Sequence, residues 1–208
     1  MEKAIYSETK ELILTAAREV FANHGYGAAT MKKIAREANV NITTMQNYYA
    51  SKQDIVRALY HTFYRKIAYI LAEPVAGMEL VEYTAFVLSA LAHVFEQDRE
   101  IAWMLFAQTP NCIVLLREKR NAQLLRAVRK LVNRLVTLDL LVVDNIDSYA
   151  NLCYGSTHFA LMQWLSGGWD IEKPELLNHL LVFLLRGAEV SIGEDHARYA
   201  LAGALDMR

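Results

Sequence analysis

Apolar residues recur along almost the whole chain at the three- and four-residue spacing of an α-helix. The first such stripe contains Leu12, Ala16, Val20 and Phe21, and strand-like alternation of apolar and polar residues is essentially absent. Only three prolines occur, and each lies where one periodic stretch stops and another begins. The pattern therefore predicts an all-α protein.

The N-terminal part of the chain contains short periodic stretches separated by turn signals. The segment "NHGYG" ends the first helix with glycines, which accept the left-handed backbone of a helix end. Thr30 is placed to cap the short helix "MKKIAREA", and Asn39 tolerates the turn that follows. Asn41 then offers its side-chain oxygen to the free N–H groups of a third helix. Two short helices joined by a turn of about four residues have the spacing of a helix-turn-helix.

The remainder of the chain is predicted to form a larger helical domain. A long amphipathic helix runs from Asp54 to Ala72, and five further periodic stretches precede a short helix or loose tail at residues 191–208. We therefore divide the chain into a three-helix domain over residues 1–53 and a second domain over residues 54–208.

Composition narrows the class of protein. Of the 208 residues 54% are hydrophobic, yet no run approaches the roughly 18 apolar residues that span a bilayer. We therefore expect the apolar residues to be buried within the chain or between subunits. The segment "MEKAIYSETK" lacks the apolar core of a secretory signal, and two cysteines are too few for a disulfide framework. The expected location is the cytoplasm.

Charge is distributed unevenly along the chain. Residues 1–52 carry seven lysines and arginines against five acidic residues, whereas the remainder carries fifteen against eighteen. The basic excess therefore coincides with the predicted helix-turn-helix. It is small, and alone it is a weak indication of a nucleic-acid partner.

The stretch "ILTAAREVFANHGYGAATMKKIAREANVNITTMQNYYASKQDIVRAL" resembles the N-terminal DNA-binding domain of the TetR (tetracycline-repressor) family of bacterial regulators. The shared features are an apolar helix ending in Phe, a Gly-Tyr turn, a Thr-capped helix with Ile-Ala, and a short recognition helix closing on two aromatics. Ser-Lys and a long helix follow. The resemblance implies a homodimeric repressor that binds a palindromic operator in double-stranded DNA and is released by a small-molecule effector.

The third helix and its flanks supply the predicted DNA contacts. Gln46 and Asn47 carry amides that can pair bidentately with adenine. Tyr48 and Lys52 are expected to reach phosphates, which hold the register without conveying sequence information. The full predicted set is Thr30, Asn41, Ile42, Thr43, Thr44, Gln46, Asn47, Tyr48 and Lys52.

Other positions of this helix are expected to shape the contact. Thr43 and Thr44 are short enough for a close approach to the groove, whereas Met45 and Tyr49 are expected to face the core. Ile42 stands where relatives often have a basic or small residue, so it is expected to meet a thymine methyl or to be exposed. The alternative is a solvated polar helix with an aromatic packing edge.

Large aromatic residues in the second domain suggest a pocket for an amphiphilic or aromatic effector. Such rings with a few polar tips line small-molecule sites, although a packed core uses the same residue types. The predicted ligand contacts are Tyr64, Phe86, His93, Trp103, Phe106 and Tyr154.

The segment "LLNHLLVFLLRGA" is apolar on almost all sides between Leu176 and Leu185, so it must be covered on several sides. The resemblance implies that the last two long helices pair with those of a second subunit across a two-fold axis. Burial within one subunit is the alternative.

Other candidate sites are weaker. Arg126, Lys130 and Arg134 form a basic helix face, which indicates a solvated surface or a site for an acidic effector such as an acyl-coenzyme A. Cys112 and Cys153 are isolated, and a redox role stays open. Metal-ligand spacing, nucleotide-binding fingerprints and catalytic motifs are lacking, so we expect no metal, no cofactor and no enzyme.

The alternative function is a sensor or interaction protein that keeps the helix-turn-helix fold but acts through a protein partner or without an effector.

Overall fold

A computed structural model describes residues 2–73, 77–106, 114–188 and 199–204. Within them the chain is helical and contains no strand, which confirms the all-α prediction. Residues 199–204 are helical and follow the main elements. The main helices are α1 (Glu2–Ala28), α2 (Met31–Glu37), α3 (Ile42–Tyr48), α4 (Lys52–Ala72), α5 (Leu80–Gln97), α6 (Arg99–Phe106), α7 (Val114–Thr137), α8 (Ile146–Leu165) and α9 (Lys173–Arg186).

The described residues form two compact units. The first takes in those of Met1–Phe63 and Glu100–Arg117, and the second those of Tyr64–Arg99 and Glu118–Arg208. The division falls inside α4, and the first unit includes most of α6. The predicted domain boundary after residue 53 stays a prediction.

The first unit is built on α1, α2 and α3, which pack in sequence. Gly25 has a φ of 69°, so α1 breaks there at the position that the glycine-rich turn predicted. Asn39 has a φ of 52°, as expected for the residue type that best replaces glycine in a left-handed turn. The buried core includes Ile13, Ala17, Ile34, Met45, Tyr49, Ile55 and Leu59.

The second unit is organised around α5, whose residues Leu80–Gln97 are mostly buried and which contacts α8 and α9. Lys66 of α4 donates to the buried carboxylate of Asp98, which ends α5, with 2.6 Å between nitrogen and oxygen. Arg99 donates to the carbonyl of Leu165 at 2.6 Å and so fastens the end of α8. Polar contacts therefore join the ends of the helices around an apolar centre.

The C-terminal end of α4 is held by Arg134 of α7. Its guanidinium donates to the carbonyls of Glu73 at 2.6 Å and Ala72 at 3.3 Å, and to the hydroxyl of Tyr83 at 2.9 Å. That hydroxyl donates in turn to the Glu73 carbonyl at 2.9 Å. Burial raises the pKa of Tyr83, so the phenol stays a neutral donor. The interpretation of Arg134 as part of a solvated basic face is therefore wrong.

The leucines of α9 are covered within the subunit, which was one of the two alternatives for this helix. Six leucines between Leu176 and Leu185 are buried within the subunit, and Leu181 is 0% exposed. Phe183, by contrast, remains exposed. Packing on α5 and α8 thus covers most of this helix, so its composition alone does not require a second subunit. Within the described residues, none of the helices is long and apolar enough to cross a membrane.

Candidate nucleic-acid interface

The short helix α3 divides into an inner and an outer face. Met45 and Tyr49, four residues apart, are buried in the first unit as the sequence predicted. Thr43, Gln46 and Asn47 lie on the opposite face and are exposed. The exposed face therefore presents a hydroxyl and two amides, which are groups that can pair with base edges in a major groove.

Two of the predicted contact residues serve as helix caps. The Thr30 hydroxyl accepts from the Lys33 N–H at 3.2 Å, and the Asn41 side-chain oxygen accepts from the Thr44 N–H at 2.6 Å. Each satisfies one of the free N–H groups at a helix start. Both side chains are exposed, so capping fixes their position beside the outer face of α3.

Three further predicted residues, Ile42, Thr44 and Tyr48, are half-buried. They flank the exposed face of α3 rather than forming its centre. Part of the Ile42 side chain is therefore accessible, so it can contact a thymine methyl as predicted. That role stays a prediction.

Lys52 is engaged within its own unit. Its ammonium donates to the carbonyls of Tyr26 at 2.6 Å and Ala29 at 2.8 Å, with the Gly27 carbonyl at 3.5 Å. It also lies 4.2 Å from the centroid of the Tyr26 ring, within the range of a cation–π contact. Tyr26 is not among the residues predicted from the sequence. Tyr26 and Lys52 are 26 residues apart, so no pattern of neighbouring residues indicates that they are in contact.

The start of α4 has its own cap. The Ser51 hydroxyl accepts from the Asp54 N–H at 3.2 Å and donates to the Asp54 carboxylate at 2.7 Å. This hydrogen bond, followed by the charge of Arg57 3.1 Å away, outweighs desolvation and lowers the pKa of Asp54. A carboxylate in the first turn also complements the helix dipole. The residue pair Ser-Lys of the sequence motif therefore combines a cap with a lysine bound to backbone carbonyls.

Comparison with known proteins agrees with this geometry. Residues 13–59 match the family model for bacterial regulatory proteins of the tetR family. The chain carries a TetR-family DNA-binding domain. The matched segment runs from the buried part of α1 through α2 and α3 into α4, so it includes the outer face of α3 and the Ser51 cap.

Individual relatives extend the likeness. The transcriptional regulator UidR of Escherichia coli K12 is 25% identical over 114 residues, which cover 53% of this chain and 58% of that relative. The match thus spans little more than half the length of that relative. A TetR-family regulator from Syntrophomonas wolfei has a TM-score of 0.75 at 20% identity, covering 90% of this chain and 98% of the other. RolR in complex with resorcinol has a TM-score of 0.58 at 18% identity, with 94% of each chain covered. At such identities the two structures show a shared fold.

The predicted ligand contacts are distributed over both units. Tyr64 is buried and donates to the Asn121 side chain at 2.6 Å. Phe86 and His93 lie two turns apart on α5 and are half-buried. Tyr154 of α8 stacks on His158, with 5.8 Å between ring centroids.

The other two predicted ligand residues belong to α6. Trp103 is exposed and belongs to the first unit. The side chain of Phe106 lies outside the described residues. A groove between the start of α8 and the end of α9 is lined by Val142, Val143, Asp144, Asn145, Ser148, Tyr149, Leu152, Gly187 and Ala188, and none of the six predicted ligand residues lines it.

The environment of Cys153 and the arrangement of possible metal ligands were compared with what a redox or metal site requires. Burial raises the pKa of Cys153 to about 11, so the thiol is protonated at neutral pH and a poor nucleophile. Cys112 lies outside the described residues. Within the part of the chain that is described, His, Cys, Asp and Glu form no group of three that could hold a metal ion.

Proposed function

We propose that this protein is a transcriptional repressor that binds a palindromic operator as a homodimer and is released by a small-molecule effector. The supporting observation is the division of α3, where Met45 and Tyr49 anchor the helix and Thr43, Gln46 and Asn47 project outward. Such an anchored short helix, preceded by another, suits docking in a major groove. The match of residues 13–59 to the tetR family model supports the same function.

Base contacts are proposed for Gln46 and Asn47, and phosphate contacts that hold the register are proposed for Tyr48. Replacing either amide residue with alanine should weaken operator binding by about 1–3 kcal/mol and relax the preference at one base pair per half-site. Asn23→Ala removes an equally exposed amide of α1 and serves as the control. Equal losses on the operator and on a random duplex would contradict base contacts by Gln46 and Asn47.

A dimer face is proposed on the outer surfaces of α8 and α9. Leu152 and Phe159, seven residues apart on α8, are 61% and 56% exposed, and Phe183 of α9 is 55% exposed. Gly155 and Ser156 lie between the two α8 side chains in sequence, and small residues let a partner helix approach closely. Tyr149 donates to the Leu184 carbonyl at 2.8 Å and so ties α8 to α9 near Phe183. An apolar surface of this kind suits an isologous interface, which would bring two copies of α3 to a palindromic site.

The dimer is tested by sedimentation of Phe159→Glu and Phe183→Glu. Each should give monomers that fail to bind the operator, because a charge would be buried in the interface. Leu138→Glu places the same charge at an exposed apolar side chain at the end of α7 and should leave the dimer intact. Intact dimers in both test variants would remove this face from the proposal.

The effector is proposed to be amphiphilic or aromatic. Support comes from Phe86 and His93 on one side of α5 and from Tyr154 on α8, which contacts α5. The related fold of RolR was determined with resorcinol, a small aromatic diol. Phenolic compounds should therefore raise the thermal midpoint of the protein and weaken its operator binding, and His93→Ala should reduce both effects. A compound that shifts the midpoint of both proteins equally would exclude His93 from the site.

A further inference from the structure

The ammonium of Lys52 is surrounded by acceptors from its own unit. An ammonium carries three donors and no acceptor. Two carbonyl oxygens lie at 2.6 Å and 2.8 Å, a third lies at 3.5 Å, and the Tyr26 ring covers another side at 4.2 Å from its centroid. A phosphate oxygen at this nitrogen would compete with these acceptors.

The carbonyls in question belong to the turn between α1 and α2. Helix ends leave carbonyls without an intrahelical donor, and these must be satisfied from elsewhere. The turn after Gly25 presents such carbonyls at Tyr26 and Ala29, directly before Thr30 starts α2. The neighbouring Ala28 carbonyl accepts from Lys33 at 3.2 Å. Lysine side chains thus supply the donors for this turn.

The location of Lys52 makes these acceptors necessary. It is the first residue of α4, where the helix dipole is positive and disfavours a cation. Three carbonyl dipoles and a ring face offset that repulsion. The contact joins residues 26 positions apart and fixes the start of α4 to the turn from which α2 and α3 follow.

We propose that Lys52 is a positioning residue whose ammonium ties the α1–α2 turn to the start of α4 and thereby sets the orientation of α3, and that it does not act as a phosphate contact. This inference rests on the proposed function for its effect on DNA binding. Its structural part, the tie between the turn and α4, stands on the contacts within the first unit.

The test compares the full-length protein with Lys52→Met, Lys52→Arg and Lys32→Met. Methionine keeps most of the stem and removes the charge. Arginine keeps the charge and binds phosphate at least as well as lysine, but its planar guanidinium does not replace a compact ammonium among three carbonyls. Lys32 is exposed and makes no polar contact within the described part of the chain, so Lys32→Met is the matched loss of charge.

Two DNA probes are used: a duplex that the wild-type protein enriches from a random-sequence pool, and a random duplex of equal length. For Lys52→Met we expect about tenfold weaker binding to the enriched duplex and less than about twofold change on the random one. The slope of log Kd against log salt should stay unchanged, because no phosphate contact is lost. The thermal midpoint should fall by several degrees, Lys52→Arg should fail to restore it, and Lys32→Met should leave it unchanged.

The opposite pattern would overturn the inference. A phosphate contact predicts that Lys52→Met weakens binding to both duplexes alike and makes the slope shallower by about 1.8, because the homodimer loses two contacts. It also predicts that Lys52→Arg binds normally and that the midpoint is unchanged. If the wild-type protein enriches no duplex, the proposed function fails. The tie is then judged by the thermal midpoints alone, and equal midpoints for Lys52→Met and Lys32→Met would refute it.

Discussion

The two ends of α4 are fastened by the same chemistry in opposite arrangements. At its start, in the first unit, the helix supplies the cation, Lys52, and the turn after α1 supplies the carbonyls. At its end, in the second unit, the helix end and the residue that follows it supply the carbonyls of Ala72 and Glu73, and α7 supplies the cation, Arg134. Each fastening lies within one unit.

The helix dipole distinguishes the two arrangements. A cation at the C-terminal end of a helix is stabilised by the dipole, whereas a cation at the N-terminal end is opposed by it. Arg134 therefore gains from both hydrogen bonds and dipole, while the hydrogen bonds of Lys52 must first offset a repulsion. We expect the second half of α4 to be fastened more strongly than the first.

The largest effect is expected for Lys66, the residue of the second half that pairs with buried Asp98. Breaking a fully buried pair costs about 3–5 kcal/mol. Because Lys66 is partly exposed and water can replace some of its interaction, we expect Lys66→Met to lower the free energy of unfolding by about 2–3 kcal/mol. Urea denaturation measures it. Arg65→Met, at the exposed neighbouring position, should change it by less than about 0.5 kcal/mol.

A smaller loss is expected at the end of α4. Arg134→Met removes donors to two carbonyls and to the Tyr83 hydroxyl, and hydrogen bonds to charged groups contribute about 1.5–3 kcal/mol, so we expect a loss of about 2 kcal/mol. Arg134→Lys should retain about half, since the dipole still favours its charge. In a double-mutant cycle with Tyr83→Phe the two losses should not be additive. Additive losses would mean that the guanidinium and the hydroxyl act independently.

The smallest effect concerns the cap at the start of α4. Ser51→Ala should cost about 1 kcal/mol. The pKa of Asp54 is lowered below its ordinary value of 3.8, so its contribution to stability is present above that pH and is lost as the pH falls through the lower, folded value. Ser51→Ala should therefore make the loss of stability below about pH 3.8 smaller. The free energy of unfolding is measured by urea denaturation at several pH values. An equal fall at low pH in the wild-type and Ser51→Ala proteins would contradict the role of the Ser51 hydroxyl.

Local signals allowed the first unit to be predicted in detail. Thr30 and Asn41 cap α2 and α3 as expected, because a cap depends only on residues within one helical turn. Met45 and Tyr49 are buried as predicted, Met45 within α3 and Tyr49 as the residue that ends it. The contacts of Lys52 and Arg134 were missed because their partners lie 23–26 and 51–62 residues away.

The helix α9 shows the corresponding limit for apolar patterns. Its leucines indicated correctly that several faces of the helix are buried. The sequence does not show which other helices cover those faces. Packing on α5 and α8 covers them, so the predicted dimer face now rests on Leu152, Phe159 and Phe183 instead. The division into units could not be predicted from local patterns either, because the described residues of 100–117 belong to the first unit although they come from the middle of the chain.

The exposed aromatic residues beside the proposed dimer face give the protein an optical reporter of its own. Trp169 is exposed and lies against Phe159, with 6.0 Å between ring centroids. Indole emission moves to shorter wavelength when water is removed from the ring. Dilution of the unlabelled protein should therefore shift its emission to longer wavelength as Trp169 becomes hydrated, and the Trp169→Phe protein, which keeps Trp103 and Trp164, should lack this shift.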